Sequence, residues 1–162
     1  MTFARFFAAM AVAVLLFLSA APARAEAPSP FGVWFTEDRD GAFEIYPCDT
    51  SGLCGRLVWM EDESPRPGTT GPQRDIHNSD PALRERTICG LEMMHGFLLD
   101  QDGAWSGGRI YNPNDGEDYR ASVTVRGPNT LALRGFILVP LLGQTQIWTR
   151  VPPNFTDRCG KK

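Results

Sequence analysis

Four polar residues that lie close together, Asp75, His77, Asn78 and Asp80, are the first candidates for chemistry in this sequence. Carboxylate and amide oxygens are the ligands that calcium prefers, and an Asp with a His can transfer protons. The same residue types also cap the first turn of a helix through their side-chain oxygens. Because capping alone explains this composition, we favour a structural role and predict no catalytic residue, metal ion or cofactor here.

Four cysteines, Cys48, Cys54, Cys89 and Cys159, form the second candidate set. In an oxidising compartment an even number of cysteines usually forms disulfides. Cys48 and Cys54 flank a Thr-Ser-Gly turn, so a hairpin would pair them and leave Cys89 to pair with Cys159. Zinc is the rival interpretation, but there is no Cys-x-x-Cys motif and no histidine nearby. We therefore predict two disulfides.

Arg134 is a third candidate because it interrupts an apolar stretch between Leu133 and Gly135. Inside a barrel, its planar guanidinium would bind a carboxylate or phosphate. On the outer surface it would pair with Glu44 or Asp118 of a neighbouring strand. The alternation of Arg134 with Leu133 and Gly135 along the strand favours the outer position. We keep Arg134 as a candidate ligand contact.

Several apolar side chains in strand-like segments are candidates for lining a ligand cavity. Glycines within these segments (Gly55, Gly107 and Gly135) would leave room for such a cavity. The same aromatic and aliphatic residues are equally usual in a filled barrel core. The predicted ligand contacts are Phe43, Ile45, Trp59, Phe97, Tyr111 and Phe136, with Arg134.

The first residues have the order of a secretory signal peptide. A basic start, Met1–Arg5, precedes an apolar run over Phe6–Leu18, and Ala23–Ala25 supplies the small residues before a cleavage site. The apolar run is too short to span a bilayer with margin. We expect a signal peptide over residues 1–25 and one mature domain over residues 26–162, in a periplasm or outside the cell.

The charge of the chain limits its partners. Of 16 Lys and Arg residues, Arg5 and Arg24 lie in the leader, which leaves 14 against 19 acidic residues and a net charge of about −5. Lys and Arg form no run along the sequence. This pattern argues against nucleic acid or anionic lipid as a partner.

The mature chain contains eight short segments rich in Val, Ile, Phe, Trp and Tyr, several of which alternate apolar and polar residues. Gly-bearing turns such as Asp40-Gly41 and Asp102-Gly103 separate them, which favours antiparallel neighbours. Closing such a meander removes exposed strand edges. We predict an all-β, eight-stranded antiparallel up-and-down barrel. The predicted strands are Gly32–Glu37, Ala42–Cys48, Leu53–Met60, Leu91–Leu99, Trp105–Tyr111, Tyr119–Arg126, Thr130–Val139 and Thr145–Val151.

One long polar segment, Glu61–Thr87, interrupts the strands. Near its end, the run "NSDPALRER" predicts a short helix that is capped by Asn78 or Ser79 and has Pro81 in its first turn. Long connections in compact domains often serve as lids or binding loops. We expect this segment to lie over the mouth of a barrel.

Four motifs, "PCDTSGLCGRLVW", "DIHNSDPALRER", "WSGGRIYNPNDGEDY" and "LRGFILVPLLGQTQIWTR", resemble the bacterial DUF2147 family of small secreted proteins of unknown function. The resemblance extends from about Phe31 to Val151 and implies a lipocalin-like barrel. The Gly-x-Trp of Gly32 and Trp34 is similar to the lipocalin signature. The resemblance therefore implies that Trp34 closes the base of the barrel, with Arg150 over its ring, and that any ligand enters at the other end.

These observations predict a monomeric periplasmic or secreted binding protein that holds one small apolar or amphipathic molecule. Two alternatives remain open. One is an envelope enzyme that uses the 61–87 segment. The other is a barrel with a filled interior that acts through protein–protein contacts.

Overall fold

The computed structural model describes residues 28–48, 51–64, 68, 70–156 and 159. In these ranges, eight antiparallel strands close into a barrel in which each strand pairs with the next and the last returns to the first. The predicted up-and-down barrel is confirmed. The strands are β1 (Gly32–Phe35), β2 (Gly41–Cys48), β3 (Gly52–Met60), β4 (Glu92–Leu99), β5 (Trp105–Asn112), β6 (Glu117–Gly127), β7 (Thr130–Phe136) and β8 (Gln144–Arg150).

The predicted strand over Thr130–Val139 is too long, because β7 ends at Phe136. Residues 137–139 instead enter an exposed connection that contains a 3₁₀ helix over Pro140–Leu142. Proline has no amide hydrogen for a sheet ladder, and the apolar composition of this stretch resembles that of a strand. Composition alone therefore misplaces the strand end.

The helix predicted within "NSDPALRER" is a single 3₁₀ turn over Pro81–Leu83. Its cap is Asp80, whose side chain accepts a hydrogen bond from the amide of Ala82, rather than Asn78 or Ser79. Asn78 is buried instead, and its side-chain oxygen accepts from the amide of Asp80. Within the described ranges, no helix is long and apolar enough to cross a membrane.

Trp34 closes one end of the barrel and is fully buried. The guanidinium carbon of Arg150, the partner of Trp34 in the β1–β8 pair, lies 4.0 Å from the Trp34 ring centroid. The indole Nε1 donates to the carbonyl of Pro30 at 2.7 Å. The Arg150 guanidinium donates to three carbonyls, those of Ser29, Phe31 and Pro128. Hydrogen bonds and the cation–π contact thus join the first strand, the last strand and the β6–β7 turn at this base.

Both predicted disulfides are present. Cys48–Cys54 crosses the β2–β3 hairpin with a sequence separation of 6 residues. Cys89–Cys159 spans 70 residues and ties the C-terminal tail to the segment that precedes β4. The amide of Cys159 also donates to the carbonyl of Val58 at 2.7 Å. The tail is therefore held against the outside of β3.

Candidate ligand cavity

The barrel contains a cavity of about 690 Å³ at the end opposite Trp34. The turns between β1 and β2, β5 and β6, and β7 and β8 contribute to its wall, as does the segment between β3 and β4. These connections lie at one end of an up-and-down barrel, and the Trp34–Arg150 base lies at the other. The structure therefore gives the barrel one closed end and one end with a cavity.

The deeper wall of the cavity is apolar. Phe43, Leu57, Met93, Leu133 and Trp148 line it, and all five are buried. The Phe43 and Trp148 rings are stacked with centroids 4.9 Å apart. An apolar wall of this kind stabilises hydrocarbon or aromatic parts of a ligand by removing them from water.

The mouth carries polar groups that are acidic or neutral. Two carboxylates, Asp38 and Asp40, belong to the β1–β2 turn, and the Asp40 carboxylate accepts from the Thr36 hydroxyl at 2.7 Å. No Lys, Arg or His is among the described residues of the wall. The neutral amides of the wall are Gln73, Asn112, Asn114, Gln144 and Gln146.

Asp75, fully buried, is the centre of a hydrogen-bond network beside the cavity. The Tyr111 hydroxyl donates to one of its oxygens at 2.5 Å, and the Asn78 amide donates to the other at 2.9 Å. Arg86 pairs with the second oxygen at 2.8 Å. Burial alone would raise the pKa of Asp75, but these hydrogen bonds outweigh it and lower the pKa below its ordinary value.

This network fastens the segment between β3 and β4 to the barrel. Tyr111 belongs to β5, whereas Asp75, Asn78 and Arg86 belong to the segment. A second contact lies nearby, where the carbonyl of His77 packs directly against Gly116 of the β5–β6 turn. Asp75 and Asn78 thus belong to the buried network, whereas His77 contacts the β5–β6 turn and Asp80 caps the 3₁₀ turn. The network gives Asp75 and Asn78 a structural role in holding the segment on the barrel.

One group of side chains in the described ranges is close enough to hold a metal ion: Glu63, Cys89 and Cys159. The two sulfurs of this group are joined in a disulfide. A disulfide sulfur is not a thiolate, which is the form of cysteine that binds metals. This geometry therefore supports no metal site.

The predicted ligand contacts divide into three sets. Phe43, Tyr111 and Phe136 line the cavity, although the Tyr111 hydroxyl is already engaged by Asp75 and Asn78. Ile45 and Phe97 are buried in the core but are not part of the cavity wall. Trp59 and Arg134 lie outside the wall. The outer position of Trp59 was not expected, whereas alternation had favoured an outer position for Arg134.

Trp59 packs on the outer side of the barrel. The β2–β3 register shifts between Ala42 and Phe43, and Trp59 lies opposite Ala42. Its ring makes edge contacts with Phe35 and Phe155, each with centroids 5.6 Å apart. The bulge changes which residues of β3 face inward, and strict alternation does not anticipate this.

Arg134 is not a cavity residue, in agreement with the outer position that alternation favoured. Its guanidinium donates to the Thr145 hydroxyl at 2.7 Å and to the carbonyls of Pro140 and Leu141. Neither Glu44 nor Asp118 is its partner in these bonds. Arg134 instead holds the β7–β8 connection in a defined shape.

The three glycines predicted to leave room for a ligand have different surroundings. A Cβ on Gly135 would meet no atom within 4 Å, and Gly135 lines the cavity. A Cβ on Gly55 would lie 2.7 Å from the Met94 sulfur, so that space is filled. Gly107 is exposed at a register shift between β5 and β6.

The predicted ligand contacts included no residue of β8, although this strand contributes three residues to the cavity wall. Gln144, Gln146 and Trp148 of β8 all line the cavity and recur at every second position. The indole Nε1 of Trp148 donates to the side-chain oxygen of Gln146 at 2.8 Å. Period-two spacing is the signal that places such residues on one face of a strand. Applied to β8, it would have identified them.

Comparisons with known proteins identify the family of this chain and a solved structure with a similar fold. The model of the family described as "Uncharacterized protein conserved in bacteria (DUF2147)" matches residues 32–150. The solved structure of protein HP1028 from Helicobacter pylori, whose title places that protein in the lipocalin family, is similar with a TM-score of 0.66. The sequences are 19% identical, and the match covers 78% of this chain and 86% of HP1028. No curated protein matches the chain.

Proposed function

Because this chain belongs to the DUF2147 family and has a lipocalin-like barrel, we propose that it binds one small apolar or amphipathic molecule in the cavity opposite Trp34. The observation that carries the proposal is the 690 Å³ cavity with its apolar wall and polar mouth. Small-molecule sites usually occupy about 300–1,000 Å³. A barrel that acted through its surface alone would need no such space.

The polarity of the wall supports a ligand whose apolar end lies deepest. Phe43 and Trp148 would contact the apolar part of the ligand, and the side-chain amides of Gln144 and Gln146 would form hydrogen bonds with its polar group. Side-chain amides both donate and accept, so they suit hydroxyl, carbonyl or amide groups. The interior can thus orient an amphipathic molecule along the barrel axis.

The charge of the wall supports a neutral or cationic head group. Asp38 and Asp40 would repel an anionic head group, and the described wall residues supply no cation to pair with it. A carboxylate moved into such a site would lose hydration without gaining a partner. A neutral isoprenoid-like alcohol fits this wall better than a fatty-acid anion of similar size.

The disulfides support an extracytoplasmic location. Such bonds persist in oxidising compartments and are rare in the cytosol, and this chain has two of them in a bacterial family. We place the protein in the periplasm or outside the cell, as the leader sequence predicts. The leader itself lies outside the described residues.

A cavity-filling substitution tests the proposal directly. Gly135→Phe adds a ring at a position that lines the cavity, where a Cβ would meet no neighbouring atom within 4 Å, so the ring would enter the cavity. A hydrophobic fluorescent probe should bind the wild type at one saturable site and bind Gly135→Phe roughly tenfold more weakly. Gly127→Phe is the matched control, because Gly127 also has open space but lies outside the cavity wall.

The same titration tests the head group. Long-chain alcohol, amine and carboxylate with one common tail should compete with the probe, and the carboxylate should compete least. Equal probe binding by the wild type and Gly135→Phe would overturn the cavity as the binding site. Strongest competition by the carboxylate would overturn the head-group assignment alone.

A further inference from the structure

The connection between β7 and β8 exposes an unusual run of aliphatic side chains at the mouth of the barrel. Ile137, Leu138, Val139, Leu141 and Leu142 are 48–87% exposed. We call these five residues the apolar tip. Soluble proteins seldom expose contiguous apolar patches unless the patch contacts a partner or membrane. The tip is therefore a candidate surface for contact with a partner or a membrane.

The tip is held in shape rather than left as an unstructured loop. Arg134 donates to the carbonyls of Pro140 and Leu141, and Pro140–Leu142 forms a 3₁₀ helix. Gly143 lies against the carbonyl of Gly135, where a Cβ would clash. These contacts engage main-chain groups and leave the aliphatic side chains of the tip exposed.

The tip is continuous with the cavity. Ile137 and Leu142 belong both to the exposed tip and to the cavity wall. An apolar molecule that leaves the cavity on this side therefore meets apolar side chains before it meets water. Such continuity suits exchange with another apolar phase.

Two arginines lie beside the tip on the outer surface. Arg109 of β5 is directly opposite Arg120 of β6, and Arg120 is directly opposite Phe136, the last residue before the tip. Both arginines are exposed, and neither forms a salt bridge among the described residues. Like charges directly opposite on adjacent strands are destabilising. An anionic group outside the protein would relieve this repulsion.

We propose that the apolar tip docks the open end of the barrel on a phospholipid bilayer. The aliphatic side chains enter the boundary between head groups and acyl chains, and Arg109 and Arg120 contact lipid phosphates. The linear sequence has no run of basic residues, but strand pairing brings these two together. Arg109, Arg120, Leu138 and Leu141 do not line the cavity, so substitutions at these positions test the docking without changing the cavity wall.

The size of the patch favours a bilayer over a protein partner. A stable protein interface uses roughly 20–30 residues on each side. The tip supplies five side chains on one connection, and the mouth beside it carries the carboxylates Asp38 and Asp40. These two carboxylates oppose an anionic surface, so the aliphatic side chains, rather than the net charge of this end, must supply the main attraction. A short protruding apolar segment suits insertion into lipid, which needs no matching shape.

Flotation of the mature protein with vesicles of phosphatidylcholine and phosphatidylglycerol tests the docking. The wild type should float with the vesicles, and the double variant Leu138→Asp with Leu141→Asp should lose roughly tenfold or more in partitioning. Leu98→Asp with Leu99→Asp is the matched control. Those two leucines are also exposed but lie at the Trp34 end of the barrel, so the control should float like the wild type.

Two further measurements distinguish the contribution of the two arginines from that of the apolar tip. Arg109→Ser with Arg120→Ser should weaken flotation and reduce its dependence on salt. Leu141→Trp should show a blue-shifted emission when vesicles are added, which reports insertion of the tip itself. Circular dichroism establishes that each variant is folded before it is compared.

Three outcomes would overturn the proposal. The first is a wild type that stays with the soluble fraction. The second is an equal loss for the tip and control variants. The third is a concentration-dependent dimer, seen by analytical ultracentrifugation, that the tip variant dissociates, since this would assign the tip to a second copy of the chain.

Discussion

The ring of Phe97 packs directly on Gly108, in the space that a side chain at position 108 would occupy. Phe97 is fully buried in β4, and Gly108 lies on the neighbouring strand β5. Even the first carbon of a side chain at position 108 would overlap the ring atoms. Phe97 is part of the main hydrophobic core and does not line the cavity, so this contact belongs to the filled part of the barrel.

Gly108→Ala should destabilise the protein by about 1–3 kcal/mol, because the Phe97 ring must leave a well-packed position. Urea unfolding measures the change. Gly127→Ala is the control, since a Cβ there meets no atom within 4 Å, and its unfolding midpoint should stay close to that of the wild type. Equal midpoints for Gly108→Ala and the wild type would show that the Phe97 ring can adopt another position without loss of stability.

Trp34→Ala should reduce the free energy of unfolding by about 3–5 kcal/mol, because it removes a fully buried aromatic ring and leaves a cavity. The Arg150 guanidinium would also lose the ring beneath it. Calorimetry or chemical unfolding measures the loss. Leu99→Ala, at an exposed position of β4, should change stability little. A Trp34→Ala protein as stable as Leu99→Ala would contradict the role of Trp34 as the base of the barrel.

Asp75→Asn should destabilise the protein by about 1–3 kcal/mol near neutral pH, because Tyr111 and Arg86 lose a buried charged acceptor. The hydrogen bonds lower the pKa of Asp75 in the folded state below the ordinary 3.8. The folded state is therefore stabilised above pH 3.8, and this contribution disappears as the pH falls toward the lower folded-state pKa.

Unfolding curves recorded from about pH 6 to about pH 3 should show the wild type and Asp75→Asn converging as the pH falls. Tyr111→Phe retains the carboxylate and its Arg86 partner, so it should keep part of the pH dependence. Parallel curves for the wild type and Asp75→Asn over this range would disprove the linkage.

Removal of the disulfide Cys89–Cys159 should cost more stability than removal of Cys48–Cys54. In the chain-entropy model, the 70-residue separation corresponds to about 4–5 kcal/mol and the 6-residue separation to about 2 kcal/mol. Unfolding of the two double Cys→Ser variants compares them. Peptide mapping of the exported protein should recover both pairs, and a Cys48–Cys89 peptide would refute the pairing.

The sequence by itself predicted the barrel, because the alternation of side chains and the Gly-bearing turns are local properties. Eight apolar segments joined by short turns leave few arrangements other than an antiparallel meander. Cys48 and Cys54 could be paired for the same reason, since one hairpin turn separates them. The predicted position of the cavity opposite Trp34 came from the lipocalin-like Gly-x-Trp.

Tertiary structure decided which side chains face the cavity and what the polar cluster does. A bulge beside Ala42 places Trp59 outside the barrel, and a register shift of this kind has no strong signal in the sequence. Asp75 and Tyr111 are far apart in the chain, so their hydrogen bond depends on how the segment before β4 folds onto the open end. Arg109 and Arg120 meet for a similar reason, because strand pairing sets which residues lie opposite one another. Local patterns specify the strands, whereas long-range pairing assigns each side chain to the core, the cavity or the outer surface.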